Sequence, residues 1–161
     1  MKYNSEIRIY DESELQVYCD HCRNQSKKIV LATGGFDLLH PGHLRFLEMA
    51  RDSGDVLVVG INDDAYIRKA KGRDRPLQNQ YDRAYLVAGF RCVSCVHIIA
   101  GNLIQIVRPD IFFMSTTSVQ KPDDRKLHHG LVEKYGGKVV VVDPFSAVHS
   151  SELIDKIRKP G

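Results

Sequence analysis

No apolar run in the 161-residue sequence approaches the ~18–20 residues that a membrane-crossing helix needs. Residues 1–6 lack the apolar core of a signal peptide, so the expectation is a soluble, cytoplasmic protein. Charge of one sign is not in excess. A net charge of +3 is too small for the strongly basic face that holds a nucleic-acid polymer, although it suits small anionic ligands. Repeats, low-complexity tracts and linkers are missing, which at this length leaves one domain with a substantial core. Cysteine is scarce, with four residues in two pairs, Cys19/Cys22 and Cys92/Cys95. Two Cys-x-x-Cys pairs can hold zinc, and His21 sits inside the first, but about 70 residues separate them, far from zinc-ribbon spacing. Reduced structural thiols are expected instead. No carboxylate cluster argues for a dedicated metal site. Gly-x-Gly-x-x-Gly is absent after the first apolar strand, which counts against a Rossmann-type dehydrogenase.

What is present is a regular alternation of helical and strand periodicities. Asp11 with Glu14 reads as a capping box opening a helix that ends near residues 24–28. Residues 29–32 read as a buried strand and the apolar run in 55–61 as a parallel strand buried on both faces; 95–99, 110–114 and 138–142 read as three further strands. Helical segments are expected at 81–90, 102–107, 125–135 and from 150, the third stopping at Gly136-Gly137. The basic stretch 67–76 reads as a mobile loop. The organisation is therefore an irregular lead-in (1–10), an N-terminal helix (11–28) and an α/β core (29–161). The fold class is α/β, a single-domain Rossmann-like parallel five-stranded sheet with helices on both faces. Ligands of such sheets bind at the carboxyl ends of the strands, where strand order reverses.

One stretch organises the rest. The run at 29–32 breaks at Thr33-Gly34-Gly35, where a tight turn lets a ligand approach the backbone. Phe36-Asp37-Leu38-Leu39 leads into His40-Pro41-Gly42-His43, and an amphipathic helix follows with Leu44 and Leu47 on its apolar side. A helix start offers unpaired N–H groups and partial positive charge, which suits phosphate. Imidazoles placed there can donate to phosphoryl oxygens and stabilise charge that builds during transfer.

Strand, glycine turn, His-x-Gly-His and helix in this order resemble the HxGH-signature nucleotidyltransferase (cytidylyltransferase-like) superfamily. The likeness is greatest to the glycerol-3-phosphate cytidylyltransferases and the nucleotidyltransferase domains of ADP-heptose synthases, and it covers about residues 11–157. The resemblance implies that His40 and His43 contact a nucleoside triphosphate and stabilise the pentavalent transition state at the α-phosphorus. It places Thr33, Gly34, Gly35, Phe36 and Gly42 at the nucleotide. Lys71 matches the lysine of a Lys-Gly-x-x-Arg-Pro loop that meets phosphates, with Lys69 and Arg75 in support. Arg83 matches an arginine that grips the triphosphate, a task suited to a bidentate guanidinium. Ser150 and Ser151 match two threonines of a phosphate-binding helix start, with His149 replacing a serine. Asp37 is an anchor for the basic loop or for the acceptor side. Magnesium is expected with the triphosphate, held by phosphates and water, and a homodimer is expected.

The likeness breaks after the fourth strand, where Met114-Ser115-Thr116-Thr117-Ser118 replaces a glycine–aspartate turn. Base and acceptor therefore stay open. The donor is CTP or ATP, with a lean to CTP; the acceptor is a sugar phosphate first, a polyol phosphate or phosphonate second. The rival reading is a nucleotide-binding module without turnover, against which the intact His40, His43, Lys71 and Arg83 stand.

Overall fold

Five strands carry the chain: β1 (Ile29–Gly34), β2 (Val56–Asn62), β3 (Cys95–Ile99), β4 (Ile111–Ser115) and β5 (Lys138–Val142). The helices bounded among the described residues are α1 (Glu12–Asn24), α2 (Pro41–Asp52), α3 (Asp64–Lys71), α4 (Gln80–Ala88), α5 (Leu103–Val107) and α6 (Pro122–Lys134). The computed structural model describes residues 8–116 and 122–143 together with Ile154 and Ile157, and for 122–127 it gives the backbone alone. All strand pairs are parallel and the order is β3-β2-β1-β4-β5.

The central strand explains the two faces. Ile29, Val30, Leu31 and Ala32 are fully buried, and successive side chains of a strand point to opposite sides. Val30 and Ala32 join Phe46, Leu47, Ala84 and Val87 of α2 and α4. Ile29 and Leu31 join Leu15, Cys19 and Cys22 of α1, Leu103 and Val107 of α5, and Val132 of α6. Helices thus cover both faces. From β1 the chain moves outward to β2 and β3, then crosses back to β4 on the other flank of β1. The reversal of strand order between β1 and β4 puts the ligand crevice at their carboxyl ends.

The helix start at Asp11 is as the sequence predicts. The Asp11 side chain accepts from Glu14 N at 2.8 Å while Glu14 Oε2 accepts from Asp11 N at 2.9 Å. Three boundaries differ. β1 runs two residues further than expected, pairing Thr33 with Gly60 and Gly34 with Ile61, so the turn begins at Gly35. Residues 64–71 are helical rather than a loop. Asp63 caps α3, accepting from Tyr66 N at 2.6 Å, and Arg68, Lys69 and Lys71 fall in its last turn, where cations favour the helix dipole. The lead-in is not wholly irregular, because Ile9 bridges Val96 at the β3 edge. The cysteines lie in α1 and around the start of β3. Cys19, Cys22 and Cys95 are buried, and burial pushes the Cys19 thiol up to about 12.

Gly60 shows how tightly the crevice end of β2 is packed. A Cβ there would sit 2.5 Å from Leu103 Cδ2 and 3.0 Å from Thr33 Cγ2 and Ile99 Cδ1. Gly60→Ala is expected to destabilise by about 1–3 kcal/mol and lower the thermal midpoint by about 2–10 °C; a midpoint unchanged within 1 °C, read by differential scanning fluorimetry, would contradict this packing.

Candidate active site

At the end of β1 the backbone folds around one aromatic ring. Phe36 holds a left-handed conformation with φ 47°, which turns its side chain back into the core, where it is 4% exposed. A Cβ on Gly34 would lie 2.8 Å from the Phe36 ring, and one on Gly35 would lie 3.3 Å from Ile67. Gly34 is therefore demanded by internal packing. The Phe36 ring also supports His43, with centroids 5.4 Å apart. The expectation that Phe36 binds nucleotide is corrected for its side chain, which is a packing support beneath the histidine.

The helix α2 begins at Pro41, between the two histidines, three residues earlier than the amphipathic pattern suggests. Proline suits a first helical position, where its missing N–H has no partner to lose. His40 is the N-cap, and its Nδ1 accepts from Gly42 N at 3.2 Å; His43 Nδ1 accepts in return from His40 N at 3.3 Å. The pair is a capping box built from imidazoles. A ring nitrogen that accepts a backbone N–H carries no proton, so Nε2 is the protonated nitrogen of each neutral ring. The rings lie 3.9 Å apart between centroids, inclined by 34°. Burial pushes the His43 imidazole down to about 4, with His40 and Lys71 adding to the effect. At neutral pH His43 is thus an uncharged N–H donor at a helix N-terminus.

Three residues before His40, the buried Asp37 carboxylate organises the basic loop. It accepts from Arg75 Nε at 2.6 Å, Leu77 N at 2.7 Å and Gln78 N at 3.0 Å. Of the two roles expected for Asp37, the structure puts it in loop anchoring; its oxygens face the loop rather than an acceptor. Lys71, at the exposed end of α3, has its pKa lowered, chiefly by burial of the ammonium and then by Arg75, while Asp37 acts the other way. Lys69, two residues earlier, is turned about 200° around the helix from Lys71 and is exposed.

Arg83 requires a correction. The guanidinium expected to grip a triphosphate is fully buried. Its Nη1 donates to Gly35 O, its Nε to Gln78 O at 3.0 Å, and its Nη2 to Asn62 O and Asp64 Oδ1, both at 2.8 Å. Arg83 therefore ties the ends of β1 and β2 to the basic loop, as a positioning residue. Gln80 Oε1 adds to this knot by accepting from Asp64 N at 3.0 Å.

The structure thus brings His40, Gly42, His43, Lys71, Arg75 and the turn from Thr33 to Phe36 to one end of the sheet, with Asp37 and Arg83 behind them. It does not bring Lys69 into that group. Ser150 and Ser151, with His149, lie outside the described residues. Asp64 and Gln78 escaped the sequence reading; the polar Asn62-Asp63-Asp64 run after β2 was the available signal for the first. No group of three or more His, Cys, Asp or Glu suited to a metal occurs among the described residues, and Asp37 and Asp64 are already held by arginines.

A family model described as cytidylyltransferase-like matches residues 31–157. The bifunctional protein HldE of Desulfatibacillum aliphaticivorans is 39% identical over 90% of this chain and 30% of its own length. That of Syntrophotalea carbinolica is 35% identical over 98% of this chain and 32% of its own. The chain spans about a third of the length of the curated relatives it matches. Among solved structures, the lipopolysaccharide core biosynthesis protein of Thermoplasma volcanium superposes with TM-score 0.61 at 25% identity, covering 76% of this chain and 99% of that one.

Two outcomes follow from the site's geometry. Between its folded value of about 4 and the ordinary ~6.5 of an unfolded histidine, His43 binds fewer protons folded than unfolded. Its contribution to stability is therefore intact above ~6.5 and lost as pH falls toward 4. His43→Asn keeps an oxygen for His40 N–H but cannot titrate, so denaturant titrations from pH 7 to 4 should show a shallower acid decline than wild type. Asp37→Ala should cost about 3–5 kcal/mol, because it strands the buried Arg75 charge and two backbone N–H groups; a loss below 1 kcal/mol in urea unfolding would refute the anchor.

Proposed function

The chain belongs to the cytidylyltransferase-like family of nucleotidyltransferases, and from that premise we propose that it transfers a nucleoside monophosphate from a nucleoside triphosphate to a small phosphorylated acceptor. The observation that carries this reading is the imidazole capping box at the start of α2, beside the end of β1. In the transfer, an ionised phosphate oxygen of the acceptor attacks the α-phosphorus. The new oxygen–phosphorus bond forms as the bond to the β-phosphate bridge oxygen breaks, and its electron pair leaves with pyrophosphate. The attacking oxygen already carries negative charge, so no general base is needed. Catalysis then rests on positioning and on donors aimed at the phosphoryl oxygens. His40 and His43 supply Nε2–H donors, the positive end of the α2 dipole lies beside them, and Lys71 supplies positive charge nearby.

Magnesium belongs to this reading as the companion of the triphosphate substrate, held by phosphate oxygens and water. The donor is CTP or ATP. A sugar phosphate is the first choice of acceptor, a polyol phosphate or phosphonate the second; likeness to a protein of lipopolysaccharide core biosynthesis favours the sugar.

Thermal unfolding with ATP, CTP, GTP and UTP in turn, each with magnesium, tests the donor without knowledge of the acceptor. A triphosphate at a hundred times its dissociation constant adds about 2.7 kcal/mol, a rise of about 5–10 °C for a chain of this size. No rise with any of the four, with or without a phosphorylated acceptor, would end the reading. His43→Asn is expected to fold and to lose about 10²–10³ in turnover, measured as pyrophosphate release. A binding module without turnover would show none to lose.

A further inference from the structure

Two polar atoms of the basic loop are buried and, among the described residues, have no hydrogen-bond partner: Arg75 Nη2 and Gln78 Oε1. Both residues hang from the same carboxylate. Asp37 Oδ2 takes Arg75 Nε and Asp37 Oδ1 takes Gln78 N. The Arg75 side chain is 9% exposed, so its guanidinium is held at Nε while Nη2 sits where water hardly reaches. Buried N–H and C=O groups in native proteins are almost always satisfied, and a bound ligand would satisfy both of these. We infer that Arg75 and Gln78 read the acceptor, Arg75 through an anionic phosphate oxygen and Gln78 through a hydroxyl beside that phosphate. The inference rests on the transfer reading above.

The chemistry follows from the two atoms. A terminal guanidinium N–H seeks an anionic acceptor, and phosphate is its best match. The Gln78 amide oxygen seeks a donor, which ionised phosphate or pyrophosphate lacks and a hydroxyl has. A hydroxyl also serves if the amide is turned over, since it both donates and accepts. The location agrees. Asp37 is three residues from His40, and Lys71 lies within electrostatic reach of both His43 and Arg75. A phosphate on Arg75 would lie at the same end of the sheet as the histidines, since the carboxylate that holds Arg75 is three residues from His40. An anionic oxygen with a neighbouring hydroxyl occurs in two molecules of the reaction, the acceptor and the ribose phosphate of the nucleotide, and the test separates them.

The test is pyrophosphate-release kinetics on the whole chain with matched pairs of phosphomonoesters, one carrying a hydroxyl on the carbon next to the phosphate-bearing carbon and one lacking it. Wild type should prefer the hydroxylated member about tenfold or more in kcat/KM. Gln78→Leu should erase that preference to within about twofold, with the nucleotide KM unchanged within the same margin. Arg75→Lys should raise the acceptor KM about tenfold or more while the nucleotide KM holds. A preference that survives Gln78→Leu overturns the inference. So does a change in discrimination against 2′-deoxy or 3′-deoxy triphosphate, which would give the pair to the nucleotide. Should Gln78→Leu fail to fold, the wild-type comparison decides, because equal rates on both members of a pair overturn the inference unaided. Turnover without preference sinks this inference alone. Nucleotide binding with no turnover on any phosphorylated acceptor sinks the transfer reading as well.

Discussion

A backbone N–H donated to an imidazole Nδ1 is the interaction from which this site follows. It occurs twice within four residues, Gly42 to His40 and His40 to His43. Each bond satisfies a donor that a helix start would otherwise leave unpaired, and each decides which nitrogen of the ring bears the proton. The same geometry that begins α2 therefore selects the tautomer that presents Nε2–H. Structure and chemistry are not separable here. A residue at position 43 that cannot accept from His40 N would change the helix start as well as the donor, which is why asparagine is a more informative replacement than alanine.

Behind the histidines stands a layer of buried charge whose work is internal. Arg83 spans from Gly35 O to Asn62 O, and so fixes the separation of the β1 and β2 ends against Asp64 and the loop carbonyl of Gln78. Asp37 does the same from the other side for Arg75, Leu77 and Gln78. Removing one partner of such a buried pair leaves an uncompensated charge, which costs far more than the intact pair contributes. The arrangement converts a loop that could wander into a shelf at fixed height above the sheet.

The inner strands and most helices were legible because burial on both faces leaves an apolar run, as in Ile29–Val30–Leu31–Ala32, and because Asp11 with Glu14 is an ordinary cap pair. Three features were not. Imidazoles are not usual caps, so the helix boundary at Pro41 was hidden inside a motif that reads as a catalytic loop. The basic run at 67–71 looks like a solvated loop, and its helicity depends on the Asp63 cap and on Gln80, which reaches Asp64 from 16 residues away. An arginine in the first turn of a helix reads as exposed. The burial of Arg83 requires carbonyls 21 and 48 residues distant, and no local pattern announces them. Residue type alone does not reveal that Arg75 and Arg83 are both buried against carboxylates.

The contrast between those arginines and the histidines bears on why imidazole is used at all. Lys71 already places positive charge near the His43 ring, and a further cation there would have to form against that charge as well as against desolvation. The His43 ring resolves the conflict by staying neutral, held so by burial and by its charged neighbours. A neutral donor does not repel the cations beside it, yet its N–H strengthens as negative charge builds on the phosphoryl oxygens. A lysine in its place would either lose its proton in this field, and with it charge assistance, or weaken the neighbouring cations. The neutral His43 ring can thus share this end of the sheet with the charged Lys71 without opposing it.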